Sequence, residues 1–436
     1  MRVAGHLKAL LALLLAGAAS AGMAEGRVVV LTSYPQETIS LFEAAFEKAN
    51  PGTRLEIVWR MPRDAMPYLL DAGSHGVDVY WSASARNYAE LAAKDLLAPL
   101  AADPALPERI GRFPISDPGL RYRASEIASY GFACNESKLR ADRLTCPATW
   151  ADLAKPGYAG RILLPVPSKV GFAPLMYEIL LQKLGWEAGW KVIAEAAANS
   201  VLFVPGGAFI TDRIGAGEED VGVTIDFFAK SAIANGAPMT FVYPDVIGFS
   251  PAHVAILASA PHPDEAHRYV EFLLSEEGQR ILAHPDIRKL PVRPSAYAAV
   301  DAGGLNPFDP ARSAAFDYDM AAAQKRQALV NALFDAMVSD RHAGLRELSQ
   351  AIQQAEALAQ QRGDANLASA AGRARSAMSW VPVSAMESIA PDLQKNAGER
   401  AVAWGREIDA RREGALAELR PLLSRTDPPA LAQARR

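Results

Sequence analysis

Four apolar residues, Val28-Val29-Val30-Leu31, run without a break and stop at Thr32-Ser33-Tyr34-Pro35. Behind them Ile39, Phe42, Phe46 and Ala49 fall on one helical stripe. A continuous apolar run that feeds a helix predicts a buried parallel strand opening a βαβ unit. Ser33 and Gln36 stand at capping-box spacing, and Pro35 suits a first helical turn. Such a turn presents backbone N–H groups, hydroxyls and a positive helix end at one point. The alternative is that Thr32 and Ser33 only cap the helix.

The same pattern recurs. Residues 54–59 and 76–81 read as further strands, the second breaking at Ser82-Ala83-Ser84 before a helix striped by Tyr88, Leu91, Ala92 and Leu96. Alternating strands and helices predict an open α/β sheet, whose ligands bind beyond the carboxyl ends of the strands. A strand over 125–133 is expected to cross into a second lobe, where 160–165, 201–204 and 221–225 are strands. They end in Ser168-Lys169, in Gly206-Gly207-Ala208-Phe209 and in Asp226-Phe227-Phe228. Residues 241–244 are expected to cross back, with a strand at 253–257, a helix at 264–282 and Leu290-Pro291-Val292 closing the first lobe. Two crossings between two lobes imply a hinge. The character changes near residue 300, and from Ala311 to Gln361 the chain is mostly Ala, Gln, Arg, Glu and Leu, with stripes at Leu329, Leu333 and Met337 and at Leu345, Leu348, Ile352 and Leu358, which predicts a helical appendage.

Arg2 and Lys8 flank an apolar core from Ala9 to Ala18, followed by small-residue sites, so residues 1–24 read as a secretory signal peptide. Its core is too short to span a bilayer, and membrane insertion elsewhere is not expected. Without Arg2 and Lys8 the balance is 43 basic against 49 acidic residues, a net charge of −6 that argues against general nucleic-acid binding. An anion site must then be local. Cys134 and Cys146 are the only cysteines; in an oxidising compartment they are expected to form a disulfide, the alternative being two inert thiols.

There is no P-loop, zinc-protease, C-x-x-C or nucleophile-elbow motif, and no nucleophile–base pair, so no catalysis, metal or cofactor is expected. Gly215-Ala216-Gly217 precedes a strand and reads as a helix C-cap; His262 and His267 read as solvated. Asp226, between a strand and two phenylalanines, is expected to accept hydrogen bonds from a ligand, with helix capping as the alternative. Thr32, Ser33, Ser82, Ser168, Lys169, Gly207 and Ala208 are candidates for holding an anion through hydroxyls, N–H groups and one cation. Tyr34, Trp81, Phe209 and Tyr243 are candidate walls, or core.

The runs Val79-Tyr80-Trp81-Ser82-Ala83, Thr149-Trp150-Ala151-Asp152-Leu153, Val223-Thr224-Ile225-Asp226-Phe227-Phe228, Leu290-Pro291-Val292 and, above all, Phe272-Leu273-Leu274-Ser275-Glu276-Glu277-Gly278-Gln279 carry a resemblance. The chain resembles the bacterial extracellular solute-binding proteins of ABC transporters, in the type 2 periplasmic class that includes ferric-binding proteins. Asn306-Pro307-Phe308, Phe316-Asp317-Tyr318 and Leu333-Phe334-Asp335-Ala336-Met337 are similar to the phosphoglycerate transport regulatory and hexose-phosphate-binding branch. The resemblance covers about residues 27–350. It implies a two-lobed α/β fold with residues 25–124 and 250–305 in lobe 1 and 125–249 in lobe 2, joined by hinge crossings. A helical C-terminal region at 306–424 and a disordered tail at 425–436 complete the expected architecture. It also implies a periplasmic monomer that holds a small anionic, phosphorylated solute between its lobes and delivers it to an inner-membrane ABC permease. A periplasmic sensor for a membrane histidine kinase and a ferric or other solute-binding protein are the alternatives. Ferric members use adjacent tyrosines near Phe227-Phe228, and phenylalanines there count against iron.

Overall fold

The computed structural model describes residues 26–205, 209–298, 305–310 and 318–424, so the expected signal segment and tail lie outside the described residues. The chain forms two compact units. The first takes residues 26–108, 114–127 and 251–298, the second 109–113, 128–250 and the described part of 305–424.

The chain begins with β1 (Gly26–Thr32), α1 (Gln36–Ala49), β2 (Thr53–Trp59), α2 (Pro62–Leu70), β3 (Val79–Ser82) and α3 (Ala85–Ala93). Next comes β4 (Arg123–Cys134), twelve residues buried along their whole length, which passes from the first unit into the second. The second unit continues with α4 (Glu136–Ala141), β5 (Ile162–Pro165), α5 (Ala173–Leu184), α6 (Trp186–Ala198), β6 (Ser200–Phe203), α7 (Ile210–Ala216), β7 (Val221–Ile225), α8 (Asp226–Ala234) and β8 (Thr240–Val242). The return is made by β9 (Phe249–Ile256), followed by α9 (Pro263–Leu274) and α10 (Glu276–Ile281). Helices α11 (Met320–Met337), α12 (His342–Arg362), α13 (Ala365–Met378) and α14 (Pro391–Leu423) complete the described chain.

In the first unit β1 pairs in parallel with β2 and with β3, and β3 pairs antiparallel with β9. Buried Asp78 ties these layers together, accepting the N–H groups of Val29 at 2.8 Å and His262 at 2.7 Å. His262 is therefore not simply solvated; its ring Nδ1 also lies 3.1 Å from Asp78. Residues 264–282, expected as one helix, break at Ser275, whose hydroxyl caps α10 at Gly278 N–H. In the second unit β5 pairs in parallel with β6 and β7, and β7 runs antiparallel to β4. Residues 240–242 pair with Phe132, Ala133 and Cys134, so this stretch stays in the second unit. Gly217, at φ 74°, ends α7 in the left-handed conformation, which is the C-cap role expected of the Gly215-Ala216-Gly217 run.

The C-terminal helices belong to the second unit and pack on α5 and α6. Arg326 of α11 makes a buried ion pair with Glu178 of α5 through Nε at 2.8 and 3.0 Å. The Trp186 indole donates to Val383 O at 2.7 Å, and the Tyr177 and Phe334 rings lie 5.0 Å apart. Within the bundle, buried Arg412 donates to Met337 O at 2.7 Å and Met378 O at 2.9 Å, the last residues of α11 and α13. One guanidinium thus serves two helix ends whose carbonyls lack intrahelical donors. Burial lowers its pKa to about 10, leaving it charged.

Cys134 and Cys146 are joined in a disulfide twelve residues apart. Closing a loop of that size restricts the unfolded chain by roughly 3 kcal/mol in the loop-entropy view. Replacing both cysteines by serine is expected to lower the melting temperature by roughly 6–12 °C for a unit of this size, which calorimetry under non-reducing conditions will measure.

Candidate functional site

In the first unit the strand ends bring Ser33 and Ser82 together, their hydroxyls 3.2 Å apart although 49 residues separate them. Parallel pairing of β1 with β3, in register at Thr32 and Trp81, makes this meeting possible. Ser33 does not form the expected capping box. Pro35 is the N-cap of α1 without a side-chain cap, and Gln36 turns to Ser40 instead. The helix after β3 likewise starts at Ser84 with no side-chain cap. Buried Thr32 accepts Tyr34 N–H at 3.2 Å, and Ser82 N–H donates to Tyr88 Oη at 2.8 Å. Two hydroxyls therefore stand before two helix N-termini, an arrangement suited to an acceptor-rich anion.

Tyr34 and Trp81 are core residues and not walls. Both are buried against a network centred on Glu126 of β4. The Tyr34 hydroxyl and the Ser125 hydroxyl donate to Glu126, Lys289 reaches it at 2.9 Å, and the Trp81 indole donates to Ser125 at 3.1 Å. The Lys289 ammonium also lies 3.8 Å over the Tyr34 ring. Burial pushes the Glu126 carboxyl up, but Lys289, Ser125 and Tyr34 outweigh it and hold it below the ordinary value. The exposed aromatic of this face is Trp59, half accessible at the end of β2, with its indole donating to Tyr34 O at 3.1 Å. Sequence reasoning passed over Trp59; the signal was an aromatic at the carboxyl end of a strand in register with Thr32.

In the second unit Ser168 and Lys169 are exposed after β5. The Ser168 hydroxyl donates to Asp335 of α11 at 3.0 Å. Gly207 and Ala208 lie outside the described residues. Phe209 is exposed and tilts against Phe228 at 5.7 Å. Asp226 is fully buried at the start of α8 and is satisfied within the protein, by Phe227 N–H at 2.8 Å and the Tyr243 hydroxyl at 2.9 Å. Tyr243 also carries the Lys230 ammonium 4.7 Å over its ring. Burial raises the Asp226 carboxyl to about 6, while Ser129 N–H, Lys230 and Tyr243 oppose the rise. Among the described residues no cluster of three or more His, Cys, Asp or Glu could hold a metal, and no helix is long and apolar enough to cross a membrane.

The family profile described as bacterial extracellular solute-binding protein matches residues 75–340. The chain is 31% identical over 313 residues to the phosphoglycerate transport regulatory protein PgtC of Salmonella typhimurium, covering 71% of this chain and 76% of that one. Its fold is similar to that of the periplasmic binding protein AfuA from Actinobacillus pleuropneumoniae, solved with fructose-6-phosphate bound. There the TM-score is 0.57 at 20% identity, over 72% of this chain and 98% of that one. It is also similar to iron-bound HitA from Pseudomonas aeruginosa, with TM-score 0.53 at 20% identity over 66% and 92%.

Glu126→Gln breaks the buried pair with Lys289 by removing one partner, and it is expected to cost about 3–5 kcal/mol in chemical denaturation. Asp226 works in the opposite sense with pH. Its folded value lies above the unfolded one, so its contribution is complete below about pH 4 and is lost as pH rises through about 6. Asp226→Asn is expected to remove that component from the melting temperature measured against pH.

Proposed function

The chain belongs to the family of bacterial extracellular solute-binding proteins, and on that premise we propose that it is the periplasmic component of an ABC transporter for a small phosphorylated organic solute. The observation that carries the reading is the Ser33–Ser82 hydroxyl pair in front of two helices that no side chain caps. A phosphate ester offers several acceptor oxygens and a double charge, and it satisfies hydroxyls and open helix N–H groups together. In the second unit Lys169 exposes an ammonium with no side-chain partner among the described residues, a cation that suits an anionic solute. Trp59 and Phe209 supply exposed aromatic faces. The names of PgtC and of AfuA with its bound sugar phosphate support the same solute class. Phe227 and Phe228 offer no phenolate, which weighs against ferric iron as cargo.

A second reading, a periplasmic sensor that presents its solute to a membrane kinase, is favoured by the helices beyond residue 340. They lie outside the family profile yet pack into the second unit. Liganded protein added to vesicles holding either the permease or the kinase separates the two, through stimulated ATP hydrolysis or altered autophosphorylation.

A thermal-shift series with triose and hexose phosphates, phosphonates, dicarboxylates and ferric citrate tests the solute class. At 100 times its dissociation constant a ligand adds about 2.7 kcal/mol, roughly 5–10 °C here. Phosphate esters are expected to give that shift and Ser33→Ala with Lys169→Ala to lose most of it. A shift confined to ferric citrate or dicarboxylates overturns the assignment.

A further inference from the structure

We propose that Asp335 of the C-terminal helices competes with the solute for the Ser168 hydroxyl and so tunes solute affinity, a step that rests on reading the loop after β5 as a solute loop. The Ser168 hydroxyl carries one proton and donates it to Asp335 Oδ1 at 3.0 Å. An ionised carboxylate and a phosphate oxygen are both acceptors only, so Ser168 cannot serve Asp335 and a phosphate at once. Binding at Ser168 and Lys169 therefore requires an exchange of partners.

The structure holds an alternative partner for the carboxylate that is released. Ser339, one turn further along the chain, already donates to the same Asp335 Oδ1 at 2.9 Å. The loop itself is fastened on this side. Tyr177 donates to Pro165 O at 2.8 Å, and its ring packs on Phe334, the neighbour of Asp335. Val170 and Lys169 N–H groups both turn back to Val166 O, at 2.9 and 3.0 Å, so the loop is compact. Asp335 thereby imposes two costs on an anion: the loss of its own hydrogen bond and the repulsion of its charge. Solute occupancy and the state of α11 become linked, and the link is reciprocal.

The test is calorimetric titration of the full mature chain with glucose 6-phosphate and glycerol 3-phosphate. Asp335→Ala is expected to bind the ester that the wild type binds about tenfold more tightly, because the competitor is gone. Ser339→Ala, which removes the alternative partner, is expected to weaken binding several-fold. In a Ser168→Ala background Asp335→Ala is expected to lose most of its gain, which separates exchange at the hydroxyl from a general effect of charge or folding. Hydrogen exchange of residues 335–339 should change on ligand addition in the wild type and not in Ser168→Ala. Unchanged or weakened binding in Asp335→Ala, with a wild type that binds, overturns the proposal while leaving the solute class standing. A wild type that binds neither ester removes the sugar-phosphate reading and the proposal together.

Discussion

The buried pairing of Glu126 with Lys289 is the constraint on which the first unit depends. A carboxylate inside a protein is tolerable only when its oxygens and its charge are both answered. Here Lys289 answers the charge, and Tyr34 and Ser125 complete the oxygens. Those partners come from the turn after β1, from β4 and from the residue before Leu290, whose short strand pairs with Ile127 of β4. Gln279 of α10 joins the same cluster, donating to Ser125 O at 2.8 Å and accepting Val292 N–H at 2.7 Å. The network thus sets where the β1 turn ends, and with it where Ser33 can meet Ser82.

Much of this fold was legible because β1, β5, β6 and β7 are short and mostly apolar and β2 opens with buried and exposed positions in alternation. β1, β2, β5, β6 and β7 lie where the pattern puts them, as do α11 and α12 with Leu329, Leu333, Leu345 and Leu348 buried. The hydrophobic effect acts on composition along the chain, and composition is visible in sequence. The polar partners were not. Ser33 had a local capping partner three residues on and took a hydroxyl 49 residues away instead. Glu126 and Lys289 are 163 residues apart, and nothing in either neighbourhood names the other. Tyr34 and Trp81 had the composition of walls but were needed as donors to a buried carboxylate and its neighbour. Asp226 had two candidate roles, and Tyr243, seventeen residues later, closes the carboxylate within the protein. Ser275 was readable as a cap from its two following glutamates, though the long amphipathic stretch around it suggested one helix.

The C-terminal helices follow the same division. Their apolar stripes are regular, while the polar contacts that join them come from residues far apart in sequence, Arg326 on Glu178, Trp186 on Val383 O and, within the bundle, Arg412 on two helix ends. The family profile ends at residue 340, before α12, α13 and α14 begin.

The Cys134–Cys146 bridge closes a short loop at the far end of β4, the strand that enters the second unit. Its contribution exists only where thiols are oxidised. The same polypeptide therefore has two stabilities, a lower one among reducing agents and a higher one outside them. For a member of an extracellular solute-binding family, the oxidising side of that divide is where the stronger form serves.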